Sequence, residues 1–382
     1  MAGGAAAGRP GGAPARLAIV ALSARALAEA AVRAGFAPVA IDLFGDSDLA
    51  AVAEHRVVPG SLEGGADLAA VLAALDAAAA VGPLAGIVVG SGFEHRPQAL
   101  AALAKHVPLL AAPPAAVMLV KDPRRLSELL SRLSIPHPVT STDRPAAPAG
   151  WLGKRAGAAG GSHVVAASDA VDALGLYFQR RAEGRPMSAA LLADGRGARL
   201  LAFCETRADP APGAPFRFGG VAGPVMLPRA LTAEIAVALD RLAAAAGLVG
   251  LCGVDLLVGD ADWSVLEVNP RPTATLEILD RAAPSLLALH VAACRGAPLA
   301  DWSPPADIAG TALVYAPSAA TAMPAVDWPA WVADRPRPGT PVAAGEPLCT
   351  VRATGADLAA VDARLADRRR RVLDLVFAAA GG

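Results

Sequence analysis

Two carboxylates and one amide in "GVDLLVGDADWSVLEVNPRP" (residues 253–272) have the types and spacing to hold a cation. Side chains two apart along a strand share a face, so Glu267 and Asn269 point one way, Leu266 and Val268 the other. A three-residue connection, Asp260–Ala261–Asp262, sets Asp255 directly opposite Glu267. Such a set on an apolar sheet is costly to desolvate unless a cation sits within it. Hard oxygen donors suit Mg²⁺, which fills the rest of its shell with waters and phosphate oxygens. Asn269 is the only asparagine in 382 residues. Its amide oxygen can ligate without adding repulsive charge. The competing reading is a solvent-facing hairpin with incidental charges.

A second group surrounds lysine, which the chain almost avoids: of 34 basic residues only Lys105, Lys121 and Lys154 are lysines. In "WLGKRAGAAGGSHV" (151–164), Lys154 enters a glycine loop. A P-loop places its lysine after the glycines. The reversed order still suits phosphate: the ammonium gives a fixed charge, and the amides of Gly157, Gly160, Gly161 and Ser162 can fold over the remainder. Lys121 opens "KDPRRLSELLSRLSIPHPVT", either as a surface residue at a helix start or as a further phosphate cation. "YFQRRAEGRPMSA" reads as a strand with a turn at Glu183–Gly184.

These segments, in this order, resemble the ATP-grasp superfamily. The "SIPHPVT" exit after Lys121, "LGKRAGAAGGSHV", the hinge-like "QRRAEG" and "GVDLLVGDADWSVLEVNPR" each match one of its motifs. The chain looks most like ATP-dependent carboligases related to biotin carboxylase. The resemblance implies that Lys121 and Lys154 contact nucleotide phosphates and that the Gln179–Glu183 strand lines adenine and ribose. Asp255, Glu267 and Asn269 would hold one or two Mg²⁺, with Mn²⁺ as a substitute, and Arg271 would meet the transferred phosphoryl group. Arg180 stands where an acidic residue is usual, and "KR" replaces "KP" at 154–155.

The activity implied is an ATP-dependent joining of a small carboxylate to an amine through an acyl phosphate. A one-carbon carrier cofactor of the methanofuran type is the expected product class. Glu94, in "GSGFE", is placed to help bind the second substrate. The enzymatic alternative is a carboxylase acting with a separate biotin carrier, since no lysine follows Lys154. The non-enzymatic one is an ATP-binding regulator.

The elements that must position these residues are legible as an α/β chain, α+β within the ATP-grasp part. "RLAIVAL", "SARALAEAAVRAG" and "APVAIDL" make a strand–helix–strand start, and "AGIVVGSGFE" a later parallel strand. No GxGxxG follows the first strand. The expected division is a disordered tail (1–15), a Rossmann-like pre-ATP-grasp domain (16–113), and an ATP-grasp domain (114–305) with lobes at 121–195 and 200–290. A β-rich segment with a terminal helix (306–382) closes the chain. A helix is expected from about Ser168 and a strand over "HVVAA" (163–167).

The net charge of −1 argues against a nucleic-acid partner. The one basic run, "DRRRR" (367–371), reads as the solvated face of a helix. No stretch reaches the roughly 20 uninterrupted apolar residues of a membrane span. The N-terminal "MAGGAAAGRPGGAPA" reads as a flexible tail rather than a signal peptide. Cys204, Cys252, Cys294 and Cys349 show no zinc spacing, which fits a reduced, cytoplasmic protein; small-molecule substrates and a homodimer are compatible with all of this.

Overall fold

The computed structural model describes residues 13–260 and 262–377. Most of the expected 1–15 tail lies outside these residues. The first unit runs β1 (Arg16–Val20), α1 (Arg25–Arg33), β2 (Ala37–Asp42), α2 (Ser47–Ala50), β3 (Glu54–Val57), β4 (Gly60–Ser61), β5 (Gly65–Ala66), α3 (Leu68–Val81), β6 (Leu84–Val89), α4 (Pro97–Leu103) and β7 (Leu109–Leu110). Its five-stranded sheet has the order β3-β2-β1-β6-β7, with every pairing parallel. The "LAIV" and "IVV" runs are buried throughout, as a parallel sheet covered by helices demands. Gly35 ends the first crossover at φ +82°, where a side chain would be strained. The glycine turn after β6 delivers Glu94 to the carboxyl edge of the sheet, where ligands of open α/β sheets sit.

Next come α5 (Pro114–Lys121), α6 (Pro123–Arg132), β8 (Thr140–Ser141), β9 (Trp151–Arg155), β10 (Val165–Ala166) and β11 (Leu176–Arg180). Four of these form a small antiparallel sheet, β10-β9-β11-β8. The chain then crosses at Glu183–Gly184 into β12 (Arg185–Asp194), β13 (Ala198–Ala208), β14 (Phe218–Val225), α7 (Arg229–Ala246), β15 (Val249–Val258) and β16 (Trp263–Asn269). It ends with α8 (Thr275–Leu279), α9 (Leu286–Cys294), β17 (Ile308–Tyr315), β18 (Val332–Ala333), β19 (Pro347–Gly355) and α10 (Leu358–Phe377). One eight-stranded antiparallel sheet, β16-β15-β12-β13-β14-β17-β19-β18, unites the metal-lobe strands with those of the tail. The molecule is therefore mixed α/β, with a parallel sheet followed by antiparallel ones. Leu231, Ile235, Leu239 and Leu242 recur at helical spacing and put one stripe of α7 into the core under β12–β16. Among the described residues no helix is long and apolar enough to cross a membrane.

Three local expectations change. Residues 168–175 form no helix: eight residues ending at Gly175 (φ +78°), with Leu174 98% exposed, offer no apolar face to pack. Arg144 instead donates to the carbonyls of Ala167 and Ala170, which fixes a turn. The "HVVAA" strand shrinks to Val165–Ala166. Lys121 does not open a helix on the surface; it ends α5, and Asp122 caps α6 by accepting from the Arg125 N–H at 2.9 Å.

Candidate functional site

The β15–β16 hairpin pairs Asp255 with Glu267, though not through the expected loop. Val258 pairs with Trp263, leaving four residues (259–262) in the connection. A four-residue connection alone would turn Glu267 to the opposite face. A β-bulge at Leu266 inserts one residue into β16 and restores the register, so Asp255, Glu267 and Asn269 share a face. The Asn269 amide donates to Asp255 Oδ2 at 2.9 Å. Ser188, the cross-strand partner of Asp255 on β12, gives it a hydroxyl hydrogen bond.

Into this set comes Lys121. Its Nζ donates to Glu267 Oε1 and, at 2.9 Å, to Asn269 Oδ1, and its side chain is 5% exposed. Burial and the Glu267 charge push Asp255 up to about 6, against Lys121, Ser188 and Arg271. Burial pushes Glu267 up as well, but there Lys121, then Lys154 and His163, prevail and its pKa is lowered. The donors thus hold one cation already, an ammonium. Among the described residues no three acidic, histidine or cysteine side chains gather as metal ligands. The set fits Mg²⁺ only because the Asn269 oxygen supplements its two carboxylates.

The other lysine stands across the cleft. On adjacent antiparallel strands, Lys154 of β9 lies opposite Tyr177 of β11, so Tyr177 and Gln179 share its face. Lys154 Nζ donates to Gln179 Oε1 at 2.6 Å in a buried contact. Burial lowers its pKa, partly offset by Glu267 and Asp255. The glycine loop lies folded down. At Gly157 (φ +70°) a Cβ would come within 2.7 Å of His95 Cα, and at Gly161 (φ +70°) it would overlap the Phe216 carbonyl oxygen. The Phe218 N–H donates to the Gly160 carbonyl at 2.8 Å. Backbone therefore approaches backbone at both ends of the loop, which only glycine permits.

Glu94 and Arg271 meet, although they are 177 residues apart in sequence. Arg271 Nε donates to Glu94 Oε1, while Glu94 Oε2 accepts from the amides of Gly92 (2.7 Å) and Phe93 (2.9 Å). Burial raises the Glu94 pKa, but Arg271 and Lys121 outweigh it and hold it at about 2. The pair ties the parallel-sheet unit to the residue that follows the donor strand.

A cleft of about 490 Å³ opens between these groups, lined by Lys121, Gly157, His163, Tyr177, Gln179 and Glu267 among others. His163 is not among the residues that sequence reasoning singles out. Its Nδ1 is buried without a partner, and burial, opposed by Glu267 and reinforced by Lys154 and Arg155, brings its pKa down to about 4. Tyr177 is a second such residue; burial and the Glu267 charge raise its pKa. Only the loop before His163 and the strand pairing of Tyr177 bring them here, so no motif announces them. Two expected residues stand apart: Ser162 and Glu183 are exposed, Glu183 at the crossing between sheets. Arg180 points away as well, stacking near Trp151.

Residues 120–275 match the family model described as an ATP-grasp domain. No curated protein matches the sequence. Among solved structures, biotin carboxylase from Campylobacter jejuni, solved as a β,γ-ATP complex, superposes with TM-score 0.69 at 14% identity, covering 94% of this chain and 91% of that one. The biotin carboxylase domain dimer of the Hydrogenobacter thermophilus 2-oxoglutarate carboxylase, solved with MgADP and bicarbonate, gives 0.71 at 12% identity, covering 94% and 90%. N5-carboxyaminoimidazole ribonucleotide synthetase from Thermus thermophilus gives 0.65 at 18%, covering 94% and 98%. The donor strands, both lysines and the glycine loop all lie within the matched segment, and the chain belongs to the ATP-grasp superfamily.

Proposed function

We propose that the protein is an ADP-forming ligase that joins a small carboxylate to an amine. A carboxylate oxygen attacks the γ-phosphorus of ATP; the bond to the β–γ bridging oxygen breaks, giving ADP and an acyl phosphate. The amine nitrogen then attacks the acyl carbon, phosphate leaves, and the nitrogen loses a proton. Lys154 and Lys121 bind phosphate oxygens, with the loop from Gly157 to Gly161 lying over them. Asp255, Glu267 and Asn269 would hold Mg²⁺, which when bound neutralises charge on the phosphoryl oxygens. Arg271, oriented by Glu94, faces the acid and its phosphorylated form. Electrostatic positioning of this kind does most of the work in phosphoryl transfer.

The observation that carries this reading is the meeting of two lysines with the Asp255–Glu267–Asn269 set in one cleft of an ATP-grasp domain. A mere nucleotide binder has little use for the donor set or for an anchored arginine. The division at 16–113, 114–305 and 306–382, and a homodimer, belong to the same proposal. No residue in the cleft carries a methanofuran-type product, so the reading stops at the reaction class.

A second reading keeps the site and changes the acid. The names of the three structural neighbours all describe carboxylation chemistry, which favours bicarbonate in the acid's place. ADP release separates the readings. A ligase needs an organic acid for ADP and an amine for sustained turnover, whereas bicarbonate with biotin or another nitrogen acceptor replaces both in a carboxylase. No ADP under any pairing, with nucleotide still bound, leaves the regulator.

A further inference from the structure

We propose that the Lys121 ammonium is the resident cation of the Asp255–Glu267–Asn269 set, and that it excludes a divalent cation until nucleotide phosphates draw it away. This rests on the nucleotide-binding reading and adds an order to it. The geometry is a closed chain of contacts: Lys121 Nζ to Glu267 Oε1 and Asn269 Oδ1, and Asn269 Nδ2 to Asp255 Oδ2. The ammonium uses the carboxylate and the amide oxygen that a metal would need.

Displacing it without a substitute is unfavourable. Lys121 is the last residue of α5, with Asp122 capping the next helix immediately after it, so its backbone has little room to withdraw. Its side chain is 5% exposed, and a buried ammonium stripped of its partners is strongly destabilised. Charge balance points the same way. Lys121, Lys154 and Arg271 all act on the two carboxylates of the set, so the empty site has no deficit to attract a dication. The phosphates of a nucleotide reverse that balance and offer the ammonium a new anionic partner a short swing away. Metal-free Lys121 and metal-bound Lys121 are thus two positions of one side chain.

Mn²⁺ binding to the full chain, followed by equilibrium dialysis and by loss of the free-ion EPR signal, tests this. Wild type without nucleotide should bind Mn²⁺ at least about 100-fold more weakly than Lys121→Met, given the penalty for unpairing a buried charge. Lys121→Arg, which keeps the charge, should exclude Mn²⁺ as wild type does. Equal Mn²⁺ affinity in wild type and Lys121→Met overturns the proposal, and so does absence of Mn²⁺ binding from both. Should Lys121→Met not fold, wild type alone decides: its Mn²⁺ affinity must rise with ADP occupancy, and an affinity indifferent to ADP refutes the exclusion. ADP binding by wild type, with or without Mn²⁺, reports separately on the nucleotide reading; its failure would sink that reading.

Discussion

Replacing Lys154 with methionine should weaken nucleotide binding and stabilise the empty protein. The side chain is buried, with one hydrogen bond, to Gln179 Oε1 at 2.6 Å. A hydrogen bond to a charged group contributes about 1.5–3 kcal/mol. If Lys154 makes one such bond to a phosphate oxygen, its loss reduces ADP affinity roughly 10- to 150-fold. The same ammonium is a burden to the fold. Its pKa is lowered by burial, so the folded state disfavours the charged form that the unfolded chain carries freely. That penalty is complete below the lowered folded pKa and vanishes as pH rises past the ordinary lysine value. Methionine has similar volume and needs no partner. Lys154→Met should therefore raise the thermal midpoint at pH 7, with the gain shrinking towards pH 10 and above. Calorimetric titration with ADP and scanning calorimetry across pH give the two readouts. Unchanged ADP affinity, or a lowered midpoint, would refute the assignment of Lys154 as a desolvated phosphate cation.

Three further outcomes follow from the same physics. The Glu94 pKa, held at about 2 against an ordinary 4.5, means stability present above pH 4.5 that is lost as pH falls to about 2; the linkage is about 3 kcal/mol. Glu94→Gln should abolish that acid-side slope and lose a similar amount at pH 7 in urea unfolding; wild-type stability in the variant would contradict the ion pair. His290, buried, accepts from the Leu251 N–H at 2.8 Å through Nδ1 and faces the Leu110 carbonyl at 2.9 Å through Nε2. Burial lowers its pKa to about 4, so stability should fall by about 3 kcal/mol as pH drops from about 6.5 to 4. His290→Ala should remove this slope, and an unchanged slope would place its origin elsewhere. Gly161→Ala drives a methyl into the Phe216 carbonyl at φ +70° and should lift the loop. Limited proteolysis near residue 160 should quicken at least several-fold without nucleotide, and wild-type resistance would argue against the folded-down loop.

How much of this is legible in the sequence depends on the range of the interaction. Alternation within β16 shows Glu267 and Asn269 on one face, and a hairpin brings Asp255 opposite. The sequence hides the route, because a four-residue loop plus a bulge at Leu266 gives the same facing as a three-residue loop without one. Pro123 signals a helix start and draws Lys121 into it, yet the break falls at Asp122 and the lysine ends the helix before. Ser168 looks like a helix cap, but nothing apolar follows at helical spacing to keep a helix packed. The Glu94–Arg271 pair and the place of His163 in the cleft are tertiary facts. Neither has a local pattern to betray it.

The central claim is phosphoryl transfer from ATP to an acid. Positional isotope exchange in ATP labelled with ¹⁸O at the β–γ bridge tests it most directly, with wild-type protein, Mg²⁺ and pools of small carboxylic acids including bicarbonate, and no amine. Reversible acyl-phosphate formation frees the β-phosphate of ADP to rotate, so label should scramble into non-bridging β positions only when a competent acid is present. Scrambling that needs no acid, or its absence from every pool while ADP and ATP bind, would contradict the account.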